Sequence, residues 1–299
     1  MRTPTWMIPA AVVTVLVLWA SAFIAIRAAA HSFTPGPLAL IRLVVGAILL
    51  AVATLPSRPP LPRGRALALV VLYGLAWFGG YNVALNAAER QLDPGTSAML
   101  VNVAPVLIAL AAGWLLREGF PRPLLVGLAV AFAGVVVISV GDGTHRGDAA
   151  GVGLTLAAAV LYTVGVLGQK FALRTVPARQ TTWLGCTVAA IAVMPFAPQT
   201  VHEFAHARAG DILLVVYLGA FPTALGFLLW AFALSRSAAG TLGSTTLAVP
   251  AIAVLMSWIL LDQLPTATAG IGGAVCLVGV VIATVRPRRR AARGRPPPD

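Results

Sequence analysis

The chain has 299 residues, of which 59% are hydrophobic and only 10% are charged, and its formal net charge is +12. Soluble domains carry about 25% charged residues, so this chain has too few charges to cover a compact water-soluble fold. The basic residues lie in short gaps between apolar runs and in the tail, which argues against a nucleic-acid-binding surface. Composition therefore predicts an integral membrane protein whose main partner is the lipid bilayer.

Ten apolar stretches follow one another along the chain, each close to the roughly 20 residues that a helix needs to cross a bilayer. The first is long for the core of a signal peptide, so it is predicted to be a membrane helix. Lipid cannot satisfy open backbone groups, and no alternating strands are present, so all ten stretches are predicted to be helices. They lie near residues 7–27, 37–55, 66–88, 94–116, 123–140, 149–170, 180–197, 210–234, 239–261 and 266–285.

The distribution of charge orients these predicted helices. With a cytoplasmic N-terminus, sixteen lysines and arginines fall on the cytoplasmic side and four on the other side, where seven acidic residues also lie. The positive-inside rule then places both termini in the cytoplasm. We expect a multi-pass protein of the bacterial inner membrane, with residues 286–299 forming a basic, disordered cytoplasmic tail.

An internal repeat relates residues 1–144 to residues 145–285 at an offset of 143–146 residues. LWASAFIAIR in the first stretch aligns with LYTVGVLGQK in the sixth, and the fifth and tenth stretches share a glycine, six residues and GVV. Five spans per copy is an odd number, so the second copy enters the membrane upside down, as in many secondary transporters. The predicted fold class is an all-α integral membrane protein of ten transmembrane helices in a 5+5 inverted repeat.

The strongest of these segments resemble the EamA family of drug/metabolite transporters, including the YddG-type amino-acid exporters. The resemblance covers nearly the whole chain. The other segments that show it are PLALIRLVVGAILL and TSAMLVNVAPVLIALAAGWLLREGFP with its counterpart TLGSTTLAVPAIAVLMSWILLDQLP. It implies a transporter or facilitator that exports amino acids or related small metabolites by alternating access through a central cavity. It implies no enzymatic activity and no cofactor, and a monomer is compatible with it.

Polar and aromatic residues are concentrated in the predicted helices other than the fifth and tenth. An amide in hydrocarbon is costly unless it is paired or faces water, so Asn82 and Asn102 predict a central cavity with aromatic walls. The alternative is that these amides only bond neighbouring helices, and Trp6, Trp77 and Trp258 are alternatively residues of the interfacial aromatic belt. The candidate substrate-binding residues are Trp19, Ser21, Phe78, Tyr81, Asn82, Met99, Asn102, Tyr162, Phe227, Trp230 and Ser244.

Four charged residues at the ends of predicted helices are candidates for gates. Arg27 and Asp262 are expected near the outer face, and Glu118 and Lys170 near the inner face. One hypothesis is that each pair is an ion-pair latch that closes one side in turn. The alternative is that the bases snorkel to the interface and the acids are solvated.

Two prolines and one arginine lie within the predicted spans. Pro105 and Pro250 occupy equivalent positions in the two repeats, and each removes a helical hydrogen bond, which predicts a kink or a hinge. Arg42 lies in the second stretch, where we favour an acidic partner at the outer face over a role as substrate ligand.

The motif HEFAH at residues 202–206 points to a different class, because it matches the HExxH pattern of zinc proteases. On a helix, His202 and His206 would share a face, with Glu203 as the general base. The motif falls in a segment predicted to be a short polar outer loop, with no surrounding domain to form a cleft. A membrane metalloprotease is therefore the alternative function, and the preferred interpretation includes no metal site.

Overall fold

The structure is a computed structural model of the whole chain, and it describes Pro4 and residues 6–88, 100–141, 149–261 and 267–284. Met99, Asp262 and the predicted tail 286–299 lie outside the described residues, as does the side chain of Arg27. The described residues are helical, with short turns and no β-strand.

Fourteen α-helices are defined within these ranges, and two π-helical segments, Gly74–Tyr81 and Gly219–Leu225, join consecutive helices. The helices are α1 (Met7–Ala29), α2 (Pro35–Thr54), α3 (Arg65–Tyr73), α4 (Asn82–Ala88), α5 (Ala104–Leu115), α6 (Arg122–Gly141), α7 (Ala149–Ala172), α8 (Ala178–Ala192), α9 (Ala197–His206), α10 (Ala209–Leu218), α11 (Gly226–Arg236), α12 (Ala239–Thr245), α13 (Ala248–Leu261) and α14 (Ala267–Thr284).

Several helical stretches are long and apolar enough to cross a membrane. Six such stretches occur within the described residues, and α8 with the bent continuation 194–206 makes up to seven. Shorter apolar stretches of 10–17 residues lie at 104–115, 122–137 and 270–284, within α5, α6 and α14. The chain is therefore a multi-pass membrane protein, and ten spans remain a prediction.

Helix breaks recur at equivalent positions of the two halves. The π segments begin 145 residues apart, at Gly74 and Gly219. Tight turns precede α5 and α13, where Val103 N–H bonds Leu100 C=O and Thr246 N–H bonds Gly243 C=O, both at 3.1 Å. Each turn lies just before the proline predicted to kink the helix, because proline cannot supply the next hydrogen bond. The regular helix is thus interrupted just before each proline, and a kink or a hinge function there stays a prediction.

The predicted packing of the fifth and tenth stretches is confirmed in α6 and α14. A methyl group at Gly127 or Gly134 would collide with the backbone of α14, and one at Gly279 with the backbone of α6. Small residues let two helix backbones approach closely in lipid, where no hydrophobic effect drives helices together. These two helices therefore form a rigid pair.

The segment around the seventh predicted span differs from the prediction. Helix α8 ends at Ala192, a 3₁₀ turn follows at Met194–Phe196, and α9 continues at an angle of 50°. The expected polar loop is therefore wrong, since residues 197–206 form a helix. Its polar residues resemble loop composition, but a proline in its first turn and bonds from Glu203 to the N-terminus of α2 favour the helix.

Candidate functional site

Seven aromatic side chains from four parts of the chain meet inside the bundle. The closest ring centroids are those of Phe78 and Phe227, 4.2 Å apart, and the Trp77 and Tyr162 rings stack at 4.9 Å. We call this group the aromatic cluster. Its members are Trp19, Trp77, Phe78, Tyr81, Tyr162, Phe227 and Trp230. The structure thus brings together six of the predicted substrate-binding residues, whose role in binding stays a prediction.

The first π segment explains why three cluster residues come from one short stretch. Its wider turn departs from α-helical spacing and directs Trp77 and Phe78 to the interior, where they are 3% and 1% exposed. The interpretation of Trp77 as a belt residue is therefore wrong. Trp6 and Trp258 are 67% and 45% exposed, as belt residues would be.

A cavity of about 260 Å³ lies on one side of the aromatic cluster. This volume far exceeds the roughly 30 Å³ that one water molecule occupies in the liquid. Phe78 forms part of its wall and links it to the cluster, while Thr34, exposed at the N-terminus of α2, marks its mouth. Most of the lining is apolar, and besides Thr34 its polar side chains are Arg42 and Asn82.

Arg42 bonds to the opposite half of the chain. Its Nε donates to the Thr223 hydroxyl at 2.7 Å, and Thr223 is buried in the second π segment. Among the described residues no acid pairs with Arg42, so the favoured acidic partner is not found there. A cation within an apolar helix indicates a functional site. The position of Arg42 within an apolar stretch was visible in the sequence, but the role as a substrate ligand was given too little weight.

Asn82 bonds its own helical stretch, and these bonds do not join it to a neighbouring helix. Its amide nitrogen donates to the carbonyls of Phe78 at 2.9 Å and Trp77 at 3.3 Å, which the π segment leaves without normal helical partners. The same side chain lines the cavity. Asn82 therefore stabilises the irregular backbone while giving the cavity a polar wall.

The remaining predicted binding residues lie elsewhere. Ser21 bonds the Tyr217 hydroxyl at 2.6 Å, and the buried Ser244 donates to Thr241 C=O at 2.8 Å within its own helix. Asn102 lies in the turn before α5, and Met99 is outside the described residues. Neither serine lines the cavity, and neither belongs to the aromatic cluster.

Glu118 and Lys170 bind the two ends of one turn, which joins α11 to α12. The Glu118 carboxylate accepts from the N–H groups of Ala239 at 2.8 Å and Gly240 at 3.0 Å. Lys170 Nζ donates to the carbonyls of Leu234 at 2.6 Å and Ser237 at 2.5 Å. Each side chain thus binds backbone at a helix end, no salt bridge joins the two among the described residues, and the ion-pair latch stays a prediction. We call this arrangement the clamp.

The clamp has a favourable electrostatic geometry. A carboxylate at a helix N-terminus and an ammonium group at a helix C-terminus both complement the helix dipole and the unpaired backbone groups there. Glu118 lies at the N-terminus of α12, and Lys170 at the C-terminus of α11. The side chains are therefore neither freely solvated nor snorkelling, contrary to the alternative interpretation.

A second set of charged contacts lies at the mouth. Glu203 accepts from Thr34 N–H at 2.9 Å and from the Thr34 hydroxyl at 2.7 Å, and Gln199 donates to both of them at 2.9 Å. Asp211 accepts from the Ser32 hydroxyl at 2.5 Å. The acids of α9 and α10 thereby fix the α1–α2 turn beside the cavity.

These contacts also give the HEFAH motif a structural role. Its glutamate binds the N-terminus of α2, and His206 Nδ1 lies 2.8 Å from His202 C=O. Within the described residues, no three His, Cys, Asp or Glu side chains are grouped as metal ligands. Nothing in this geometry supports the protease alternative.

Comparison with known proteins assigns the chain to a class. The model of the EamA-like transporter family matches residues 6–140 and again residues 149–285. A probable terminal-alkyne amino-acid exporter of Streptantibioticus cattleyicolor is 33% identical over 284 residues, which cover 94% of this chain and 95% of that protein. A probable amino-acid metabolite efflux pump of Salmonella typhimurium is 27% identical over 93% of this chain and 95% of its own length. One crystal structure shares the fold with a TM-score of 0.80 at 20% identity, covering 95% of this chain and 99% of that one.

Proposed function

Because the chain belongs to the EamA-like transporter family, we propose that it exports amino acids or related small metabolites across the bacterial inner membrane. The similarity to two proteins named as exporters of amino acids or their metabolites supports this substrate class. The observation that carries the proposal is the cavity, in which a half-buried cation, Arg42, lies in a largely apolar lining. Such a cavity suits a small solute with one anionic group and an apolar part.

Arg42 is proposed to bind the carboxylate of the substrate. Its Nε is held by Thr223, which orients the guanidinium group in the cavity wall. A guanidinium group offers a planar fork of donors that matches a carboxylate. Phe78 and the rest of the aromatic cluster would contact the apolar side chain of the solute, and Asn82 would complete the polar wall.

The proposed transport cycle uses both ends of this pathway. The mouth beside Thr34 faces outwards by the positive-inside rule, and the clamp faces the cytoplasm. Export then requires the clamp side to open for loading and the mouth to open for release, with the aromatic cluster between them. The helix breaks at Gly74 and Gly219 support this scheme, since equivalent breaks in two oppositely oriented copies would allow each side to open in turn.

Counterflow in proteoliposomes tests the proposal. Purified protein is reconstituted with an internal pool of one amino acid, and entry of labelled amino acids and small metabolites is followed. We expect accumulation of at least one amino acid, competition by analogues with a free carboxylate, and little competition by the matching carboxamides. Liposomes without protein serve as the control. If no amino acid or related metabolite accumulates, the proposed substrate class is wrong.

A further inference from the structure

Three buried polar groups near the aromatic cluster make no hydrogen bond to any atom of the described residues. They are both ends of the Gln169 amide, the Trp230 indole N–H and the Tyr73 hydroxyl. Each of these residues is at most 1% exposed. Buried polar side chains are nearly always paired, because an unpaired one loses its bonds to water without compensation. Three such groups in one region therefore require an explanation.

None of the three residues with unpaired groups lines the cavity, and one of them, Trp230, is itself a member of the aromatic cluster. Along one continuous helical stretch, Asn82 and Phe78 line the cavity, whereas Tyr73 comes about two turns earlier and lines none of it. The Trp77 ring contacts both Tyr73 and Trp230, with centroid separations of 6.0 Å and 5.7 Å. Tyr73 and Trp230 thus lie around one shared ring.

Gln169 lies between the aromatic cluster and the clamp. It follows Gly165 by four residues on α7, which places both on one face of the helix, and Gly165 packs against Trp77. The neighbouring Gly168 packs against the backbone of α3 at Tyr73, and the next residue, Lys170, belongs to the clamp. The unpaired groups therefore lie within the aromatic cluster or between it and the clamp.

We propose that Gln169, Trp230 and Tyr73 form a second substrate position, which binds the charged backbone groups of an amino acid entering from the clamp side. This inference rests on the proposed function, and it names where loading occurs. The indole N–H, the phenol O–H and the amide N–H are donors for a carboxylate, and the amide oxygen is an acceptor for an ammonium group. With the clamp closed, these groups are unpaired, and a bound amino acid would pair them.

Conservative variants separate this role from a structural one. Gln169→Leu and Tyr73→Phe remove the unpaired groups with little change of volume, and Trp230→Phe keeps an aromatic ring. A structural role would lower the melting temperature with each substitution. Since the groups are unpaired in the closed state, we expect the melting temperature of Gln169→Leu to be unchanged or higher.

Transport by inside-out membrane vesicles gives the second readout, because their cytoplasmic face meets the medium. We expect the KM for amino-acid uptake by Gln169→Leu to rise about tenfold, as for the loss of one hydrogen bond to a charged group. The matched control is Thr54→Val, which removes another buried, unpaired hydroxyl at the end of α2. Its KM should equal that of the unmodified protein.

The outcomes distinguish this inference from the proposed function. If the unmodified protein moves amino acids and both Gln169→Leu and Tyr73→Phe retain its KM, the second position does not exist. Loss of melting temperature in parallel with transport would also overturn it in favour of a structural role. If the unmodified protein moves no amino acid, the proposed function is wrong, and this position loses its ligand.

Discussion

At both the mouth and the clamp, charged side chains bind backbone groups at helix ends. The two regions differ in whether the neighbouring interior polar groups are paired. At the mouth, Glu203 binds the N-terminus of α2, and the neighbouring cavity holds polar groups that are already paired, such as Arg42 with Thr223. At the clamp, Glu118 and Lys170 bind two helix ends, and the interior beside them contains unpaired groups. On the mouth side the interior polar groups are thus paired. On the clamp side they are unpaired, and the structure is held closed by the hydrogen bonds of the clamp.

This difference indicates where the free energy of closure resides. Hydrogen bonds to charged groups contribute roughly 1.5–3 kcal/mol each, and the clamp contains four of them. The unpaired groups inside oppose closure. Release of the clamp should therefore favour opening, while release of the mouth contacts should mainly loosen a turn.

The largest expected effect comes from Arg42, on the mouth side. Arg42→Gln should weaken amino-acid binding about a hundredfold, because truncating one member of a buried charged pair costs about 2–5 kcal/mol. Isothermal titration calorimetry of purified protein measures this change. Arg236→Gln, at the exposed end of α11, is the matched control and should bind normally. Normal affinity of Arg42→Gln would remove Arg42 from the site.

A smaller effect is expected from Glu118, at the clamp. Glu118→Gln removes the charge at the N-terminus of α12 and leaves one good acceptor for two N–H groups. We expect the rate of counterflow to change about tenfold while the affinity for substrate from the mouth side stays constant. Unaltered counterflow would mean that the clamp contacts do not limit opening.

The smallest effect is expected from Glu203, which makes the same type of contact at the mouth. Glu203→Gln should lower the free energy of unfolding by about 1 kcal/mol, as for loss of a helix cap, without altering the KM. Thermal melting and counterflow measure the two quantities. If Glu203→Gln changed the counterflow rate as much as Glu118→Gln does, the mouth contacts would limit transport as the clamp contacts do, which contradicts the proposed difference.

Part of this arrangement could be predicted from the sequence. The aromatic residues were identified because polar and aromatic side chains are concentrated in particular apolar stretches. The glycines of α6 and α14 were identified because their spacing repeats in the two halves. Trp77 lies in the middle of the stretch 66–88, and the alternative that placed it in the interfacial belt is excluded by its burial. Arg42 gave a clear signal as a cation in an apolar stretch, but its hydroxyl partner lies 181 residues away.

The contacts of the charged residues could not be predicted in this way. Glu118 and Lys170 were singled out as candidates for a gate, but the groups that they bind are backbone groups, which no sequence pattern displays. The π segments also escape patterns based on 3.6 residues per turn. Gln169 carries the same signal as Asn82, an amide within an apolar stretch, but its lack of a partner is visible only in the fold.

The most direct measurement of the central claim is thiol labelling on the two sides of the aromatic cluster. In a chain with Cys186→Ser and Cys276→Ser, a cysteine is placed either at Ala39, in the cavity wall, or at Gln169. We predict that a membrane-impermeant reagent labels Ala39→Cys from outside and leaves Gln169→Cys unlabelled. Adding Glu118→Gln should reverse this pattern, with Gln169→Cys labelled from the cytoplasmic side. Labelling of both positions together, or of Gln169→Cys from outside, would contradict a pathway whose two halves open in turn.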